Sequence, residues 1–119
     1  MKSCKSYFII RTDLALSPAK LAVQIGHGVD LIWMNSDINS TRFHDWLERT
    51  TGDRRKIILT IKSLEQLVNL KERLQSDGIN CQLIIDSGYT DVEPDTITGL
   101  VVFPTDIEHK KLKRLRIYQ

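Results

Sequence analysis

Three polar side chains that can interact with an anion recur at helical spacing near the start of the chain. At about 100° per residue, Lys20, Gln24 and His27 fall on one side of a helix. The opposite side is predicted to be the buried one and carries Leu21, Ala22, Ile25, Val29, Ile32 and Trp33. Because an ammonium near a helix N-terminus adds to a positive potential, this pattern predicts a site for phosphate or for a developing oxyanion.

A second group of chemically useful residues lies late in the chain. Asp86 ends an apolar segment, where a carboxylate is costly unless it is exposed or hydrogen-bonded. Gly88 permits a turn, and Thr90 and Thr98 follow it. Sites in open α/β sheets gather beyond strand ends beside helix N-termini, so one open cleft is predicted to collect these residues with Lys20. In the alternative interpretation, Asp86 caps a turn and the threonines satisfy loop backbone.

The elements that must position these side chains follow from the hydrophobic pattern. Apolar and β-branched runs predict four strands, at about residues 7–12, 56–61, 81–86 and 98–103. Caps and breakers predict three helices, from Ser17 to about Met34, from Ser40 or Thr41 to Gly52, and from Ser63 to Gly78, with a Ser63–Gln66 capping box. Pro104 is expected to begin a polar segment with a last helical turn.

Strands and helices alternate along the chain, which predicts an α/β fold. Near-continuous apolar strands such as 82–85 fit a sheet that is covered on both faces. The connection between the last two strands is too short for a helical crossover, so mixed strand directions are expected. The chain is therefore predicted to form a single layered domain over residues 1–119, with a four-stranded mixed sheet flanked by helices on both faces.

The composition argues against several classes of protein. Of 119 residues, 41% are hydrophobic and 27% are charged, as in a globular domain. No apolar run approaches the roughly 18 residues of a membrane span, and residues 1–6 lack a signal-peptide pattern, so we expect a cytoplasmic protein. Cys4 and Cys81 offer no metal-ligand spacing. The sequence also lacks nucleophile-elbow, P-loop and dinucleotide-binding motifs.

Positive charge is concentrated in two segments, although the formal net charge is only +2. Arg54-Arg55-Lys56 forms one cluster, and residues 109–116 form the other. Each cluster is either a solvated surface or a patch that follows the phosphates of a nucleic acid. The sequence pattern leaves both interpretations open.

Four segments, taken in order, carry a family resemblance. They are residues 11–14 (Arg-Thr-Asp-Leu), 20–27 (Lys-Leu-Ala-Val-Gln-Ile-Gly-His), 86–90 (Asp-Ser-Gly-Tyr-Thr) and 94–98 (Pro-Asp-Thr-Ile-Thr). Together they resemble the type-2 peptidyl-tRNA hydrolases, over nearly the whole chain. This chain departs from the family at three places. Pro18-Ala19 stands where the family often has Lys-Gly, and Asp95 stands where a glycine is usual. Residues 101–104 replace the glycine-rich end of the family's last strand.

The resemblance implies a homodimer without a metal or organic cofactor. It also implies hydrolysis of the ester between a peptide and the terminal ribose of tRNA, so the expected substrate and nucleic-acid partner is peptidyl-tRNA. By match to the family's motifs, the catalytic residues are predicted to be Lys20, Asp86, Thr90 and Thr98. The residues expected to bind substrate are Gln24, His27, Arg11 and Asp13.

Ester hydrolysis needs an activated water and a place for the oxyanion, and these residues offer several ways to supply them. Asp86 is a candidate to accept the water's proton or to orient the water. Lys20 is a candidate to stabilise the oxyanion, to hold the terminal phosphate, or to pair with Asp86 at rest. His27 lies about two turns into its helix and is interpreted as a supporting or structural residue deeper in the structure, rather than as the base.

Two other functions stay open on the sequence alone. One is a module with the same fold that binds RNA or a protein partner without hydrolysis. The other is a hydrolase of another acyl substrate. The threonine hydroxyls are candidates to position the water or the ribose in any hydrolytic reading.

Overall fold

The structure, a computed structural model, describes residues 3–48, 54–88 and 93–119. Gly52, predicted to end the second helix, lies outside these residues. The elements in chain order are β1 (Lys5–Arg11), α1 (Pro18–Asn35), α2 (Thr41–Glu48), β2 (Lys56–Ile61), α3 (Leu64–Ser76), β3 (Cys81–Asp86), β4 (Thr96–Thr105) and α4 (Lys110–Lys113). The predicted bounds of β2 and β3 are therefore confirmed.

The strands form one four-stranded sheet in the order β2-β1-β4-β3. β1 and β2 are parallel, as their connection through α1 and α2 requires. β4 runs antiparallel to both of its neighbours, β1 and β3. The short connection between β3 and β4 explains this direction, and the predicted mixed sheet is confirmed.

Alternate residues of β1 enter two separate apolar cores, one on each face of the sheet. Tyr7 and Ile9 pack with the leucines of α3 and with Leu112 of α4. Phe8 packs on the other face with Ile32 of α1 and with α2. This alternation follows from the two-residue period of a strand. The predicted layered α/β domain with helices on both faces is confirmed.

Serine caps begin the two longest helices. Ser17 Oγ accepts the Lys20 N–H at 3.2 Å, and Ser63 Oγ accepts the Gln66 N–H at 3.2 Å. The Gln66 side chain accepts from the Lys62 N–H rather than from Ser63, one residue earlier than the predicted capping box. These bonds set where α1 and α3 begin, and therefore which residues reach the sheet.

β4 is longer than predicted, because it continues through Pro104 to Thr105. The expectation that Pro104 lies beyond the strand is wrong. The β1–β4 register shifts between Lys5 and Tyr7, which pair with Thr105 and Val102. Pro104 falls within this irregularity, where the ladder does not need the N–H that proline lacks.

Candidate active site

The buried stripe of α1 is polar in its N-terminal half. Its buried residues are Lys20, Gln24, Gly28 and Ile32, spaced by four. The prediction that Lys20 and Gln24 lie on the free face is therefore wrong. A Cβ on Gly28 would lie 2.7 Å from a ring carbon of Phe8, so this glycine lets α1 pack closely on the sheet with that stripe facing inwards.

Lys20 and Asp86 meet across the end of the sheet as a buried ion pair. Lys20 Nζ lies 3.0 Å from Asp86 Oδ2, and the two side chains are only 7% and 2% exposed. The structure thus brings the two predicted segments together. It contradicts the expected open cleft between the two groups, because α1 lays its polar stripe directly on the sheet.

Gln24 links this ion pair to Thr98 of β4. Its Nε2 donates to Asp86 Oδ2 at 2.5 Å, and its Oε1 accepts from Thr98 Oγ1 at 2.6 Å. Gln24 and Thr98 are both fully buried. A chain of hydrogen bonds therefore joins α1, β3 and β4, and each group orients the next.

The second carboxylate oxygen of Asp86 serves the turn that follows β3. Asp86 Oδ1 accepts the Gly88 N–H at 2.7 Å, and Gly88 has a positive φ of 85°. The turn-capping interpretation of Asp86 is thus correct for one oxygen, while the other oxygen belongs to the ion pair. One carboxylate closes the turn and anchors α1.

The surroundings of Asp86 keep its carboxylate ionised. Burial alone raises its pKa, but the Gln24 amide, the Gly88 N–H and the Lys20 ammonium outweigh burial and lower the pKa to about 2. Asp86 therefore carries a full negative charge at neutral pH. A carboxylate of such low pKa is a weak proton acceptor.

His27 lies at the border of the buried network. Its Nε2 is 3.8 Å from Asp86 Oδ2, and its side chain is 40% exposed. The expectation that His27 lies deep in the structure is therefore wrong. Gln24 and Gly28 belong to the face of α1 that packs on the sheet. His27 precedes Gly28 by one residue, so it lies on the flank of the helix rather than on that face.

A groove of about 320 Å³ opens beside His27, between α1 and β3. We call it the α1–β3 groove. It is lined by His27, Asp30, Leu31, Gln82, Leu83 and Ile85. His27 thus faces both the Asp86 carboxylate and this groove.

Comparison with known proteins places the chain in a family. A sequence profile of the family peptidyl-tRNA hydrolase PTH2 matches residues 4–117. The chain belongs to this family. A protein of Thermoplasma acidophilum named peptidyl-tRNA hydrolase is 31% identical over 112 residues, covering 93% of this chain and 92% of its own. A protein of the same name from Thermococcus sibiricus is 35% identical, over 84% of this chain and 83% of its own. Another from Methanocaldococcus jannaschii is 28% identical, over 84% of this chain and 85% of its own.

The remaining site residues predicted from the PTH2 resemblance lie nearby or outside the described residues. Arg11 donates to both carboxylate oxygens of Asp13, at 3.0 and 2.7 Å, and its hydrogen bonds lower the pKa of Asp13. Arg11 also donates to the carbonyl of Ile97, the residue before Thr98. The pair therefore sits beside the buried network. Thr90 lies outside the described residues.

Two departures of this PTH2 chain have visible consequences at the site. Pro18 lacks an N–H. The Ser17 hydroxyl accepts the Lys20 N–H, and the Ser17 carbonyl accepts the Leu21 N–H. The start of α1 is thus less free to bind an anion through its backbone than predicted. Asp95, where the resemblance leads one to expect glycine, adopts a positive φ of 60°.

A second groove, of about 370 Å³, lies between α3 and α4 on the other face of the sheet. We call it the basic groove. Three of its lining residues are cations, Arg73, Lys111 and Arg114, and two are the amides Gln66 and Asn69. The second basic segment of the sequence thus forms one wall of a concave surface.

Residues 3–48, 54–88 and 93–119 contain no group of three or more His, Cys, Asp or Glu side chains that could hold a metal ion. In the same part of the chain, no helix is both long and apolar enough to cross a membrane.

Proposed function

We propose that this protein hydrolyses the ester between a peptide and the 3'-terminal ribose of tRNA and so releases free tRNA. The observation that carries the proposal is the buried pair of Lys20 and Asp86, which ends beside the partly exposed His27. Membership of the PTH2 family, and relatives named peptidyl-tRNA hydrolase, support the choice of substrate.

In this proposal Lys20 stabilises the negative charge of the tetrahedral intermediate. Its ammonium is held 3.0 Å from Asp86 and has little contact with solvent. A charge that is fixed in place and poorly solvated acts more strongly on a developing oxyanion than a mobile surface charge. Asp86 and Gln24 are then positioning residues that keep the ammonium where the oxyanion forms.

His27 is the group best placed to take the proton of the attacking water. Asp86 is a weak acceptor, because its pKa is lowered to about 2 and both of its oxygens already accept hydrogen bonds. An imidazole is the side chain whose charge ordinarily changes between about pH 5 and 8. We therefore assign proton transfer to His27, whose Nε2 lies 3.8 Å from Asp86 Oδ2.

The other predicted residues keep more limited roles in the proposal. Thr98 is fully buried and donates to Gln24, so it positions the amide rather than touching substrate. Thr90 stays a prediction, as a hydroxyl that orients the ribose or the water. Arg11 and Asp13 also stay predicted substrate-binding residues, and their mutual ion pair offers a polar surface beside the network.

We assign the RNA half of the substrate to the cations of this chain, chiefly those of the basic groove. The homodimer and the cytoplasmic location stay predictions. Sedimentation of the purified protein tests the homodimer, and fractionation of cells tests the location.

The proposed activity is tested by incubating the purified protein with N-acetylphenylalanyl-tRNA in buffer that contains a metal chelator. Release of tRNA with a free 3' end supports the proposal, and N-acetylphenylalanine ethyl ester, which carries no tRNA, serves as a control for non-specific esterase activity. Intact substrate after prolonged incubation with folded protein contradicts it.

The proton acceptor is identified by a pH series. With His27 in that role, His27→Gln should remove most of the rate and change the dependence of kcat/KM on pH. A rate that stays constant down to about pH 4 would assign proton transfer to Asp86 instead, since its carboxylate stays ionised there.

One observation favours a second candidate, a binding module without hydrolysis. The Lys20–Asp86 pair is almost fully buried, which leaves little of either group for a substrate to contact. Under that alternative the protein binds uncharged tRNA, with an affinity that falls steeply with salt, but does not turn over the ester. Lys111→Glu and Arg114→Glu would weaken such binding, while the Leu64→Ala variant on α3 would not.

A further inference from the structure

The two grooves of the molecule differ in charge. The basic groove has three cationic lining residues, whereas the α1–β3 groove has none and includes the carboxylate of Asp30. Leu31 supplies apolar surface from α1, and Leu83 and Ile85 supply it from the edge of β3, where Leu83 also packs against the core on the α3 face. A polyanionic RNA strand is repelled there, while an uncharged peptide with apolar side chains is compatible with its walls.

The α1–β3 groove is continuous with the candidate active site. His27 lines the groove and also approaches Asp86 Oδ2 to 3.8 Å. On the opposite wall, Ile85 directly precedes Asp86 in β3 and is 53% exposed. A chain bonded to an ester beside His27 and Asp86 can therefore extend into this groove.

β3 offers main-chain groups to that chain. Among the described residues, β3 pairs only with β4 and so forms an edge of the sheet. The Phe103 N–H of β4 donates to the Asn80 carbonyl. Because the main-chain groups of a strand alternate in direction, Gln82 also directs its N–H and C=O towards β4. Leu83 directs its N–H and C=O away from β4, towards the open edge. The opposite edge is covered, because Ile117 bridges to Leu59 of β2.

We propose that the α1–β3 groove binds the peptidyl part of peptidyl-tRNA, with the residues next to the ester extended along β3. This proposal rests on the proposed hydrolysis and deepens it, since it names the substrate half that the groove recognises. The main chain of the peptide adds to the exposed edge at Leu83. Its side chains meet the apolar walls, and Asp30 favours a basic side chain over an acidic one.

The apolar part of the proposal is tested by comparing two substrates, N-acetylglycyl-tRNA and a tRNA that carries an N-acetylated Leu-Phe-Leu tripeptide. Ile85→Ser should raise the KM of the tripeptidyl substrate relative to that of the glycyl substrate by about tenfold. Ile38→Ser, which also alters an exposed isoleucine but lies outside the groove, should leave that ratio unchanged. An unchanged ratio in Ile85→Ser overturns the proposal.

The charge of the groove provides a second test that does not depend on apolar packing. The wild-type protein should hydrolyse a lysine-containing tripeptidyl-tRNA at lower KM than a glutamate-containing one, and Asp30→Lys should reverse the order. Glu72→Lys makes the same charge change on an exposed part of α3 and should not reverse it. The same order in Asp30→Lys as in the wild type contradicts the proposal.

The outcomes separate this proposal from the proposed function. If the wild-type protein cleaves both the glycyl and the tripeptidyl substrates and no variant changes their KM ratio, hydrolysis stands and the peptide site is refuted. If the wild-type protein cleaves neither, the proposed function fails and the peptide site fails with it.

Discussion

The two long helices pack on opposite faces of one sheet, yet they bury different chemistry. Both begin at a serine cap. The buried residues of α3 are Leu67, Leu70 and Leu74, whereas the N-terminal half of α1 buries Lys20 and Gln24. Each helix thus presents one stripe to the sheet, one apolar and the other polar.

The apolar stripe of α3 contributes to the stability of the fold, whereas the polar stripe of α1 contributes to the candidate active site. Burying leucine is favourable by about 1.5–3 kcal/mol per side chain. Burying an ion pair gains little, because desolvation of both charges offsets their attraction. A polar stripe beneath α1 is therefore better explained by the work of the Lys20–Asp86 pair than by folding.

The largest effect on stability expected outside the buried ion pair is at the apolar stripe. Leu74→Ala should lower the free energy of unfolding by about 2–5 kcal/mol, because it leaves a cavity in a core where Leu74 is fully buried. Its kcat should stay near that of the wild type below the unfolding temperature. Leu64→Ala, at an exposed position of the same helix, is the matched control. A fall in kcat with Leu74→Ala would remove the distinction between the helices.

A smaller effect is expected when Asp86 is titrated. Its folded pKa of about 2 lies below the ordinary value of 3.8, so its contribution to stability is complete above about pH 4 and is lost as pH falls towards 2. The contribution is about 2 kcal/mol. Chemical denaturation across this range should show a steeper acid dependence for the wild type than for Asp86→Asn. Asp77 and Asp106, whose pKa values are also lowered, contribute equally to both proteins.

The smallest effect concerns two buried threonines of β4. Thr98→Val removes the donor to Gln24 Oε1 and should lower kcat about tenfold, because the amide no longer holds Asp86 in one orientation. Thr105→Val removes the acceptor of the Ile107 N–H at the other end of the strand and should cost about 1 kcal/mol of stability without loss of kcat. Equal kcat in the two variants would contradict a role for the network in catalysis.

Hydrophobic periodicity predicted most of the fold. β2 and β3 are rich in Ile and Leu, and a polar residue marks the end of each, Lys62 just after β2 and Asp86 as the last residue of β3, so their predicted bounds match the structure. The predicted end of β4 is too early, because a proline such as Pro104 usually interrupts strand pairing. In the structure, the register shift opposite Lys5 accommodates Pro104 within β4. Local pattern does not contain such long-range pairing.

The sequence predicts that Lys20, Gln24 and Asp86 lie together, but it does not predict that they are buried. The periodicity argument assigns polar residues to solvent, and so it placed Lys20 and Gln24 on the free face of α1. Only the partner Asp86, distant in sequence, makes their burial possible. One signal was present in the sequence: Gly28 shares the four-residue spacing of Lys20 and Gln24, which is typical of a stripe in close contact.

The central claim is that the Lys20–Asp86 pair serves catalysis rather than folding, and one measurement tests it most directly. Unfolding and peptidyl-tRNA hydrolysis are compared for the wild type, Lys20→Met, Asp86→Leu and the double variant. Each single variant leaves one buried charge alone and should lose about 3–5 kcal/mol of stability, which the double variant should largely recover. The claim predicts that the recovered double variant still hydrolyses at least about 10²-fold more slowly than the wild type. A stable double variant with wild-type hydrolysis would contradict it.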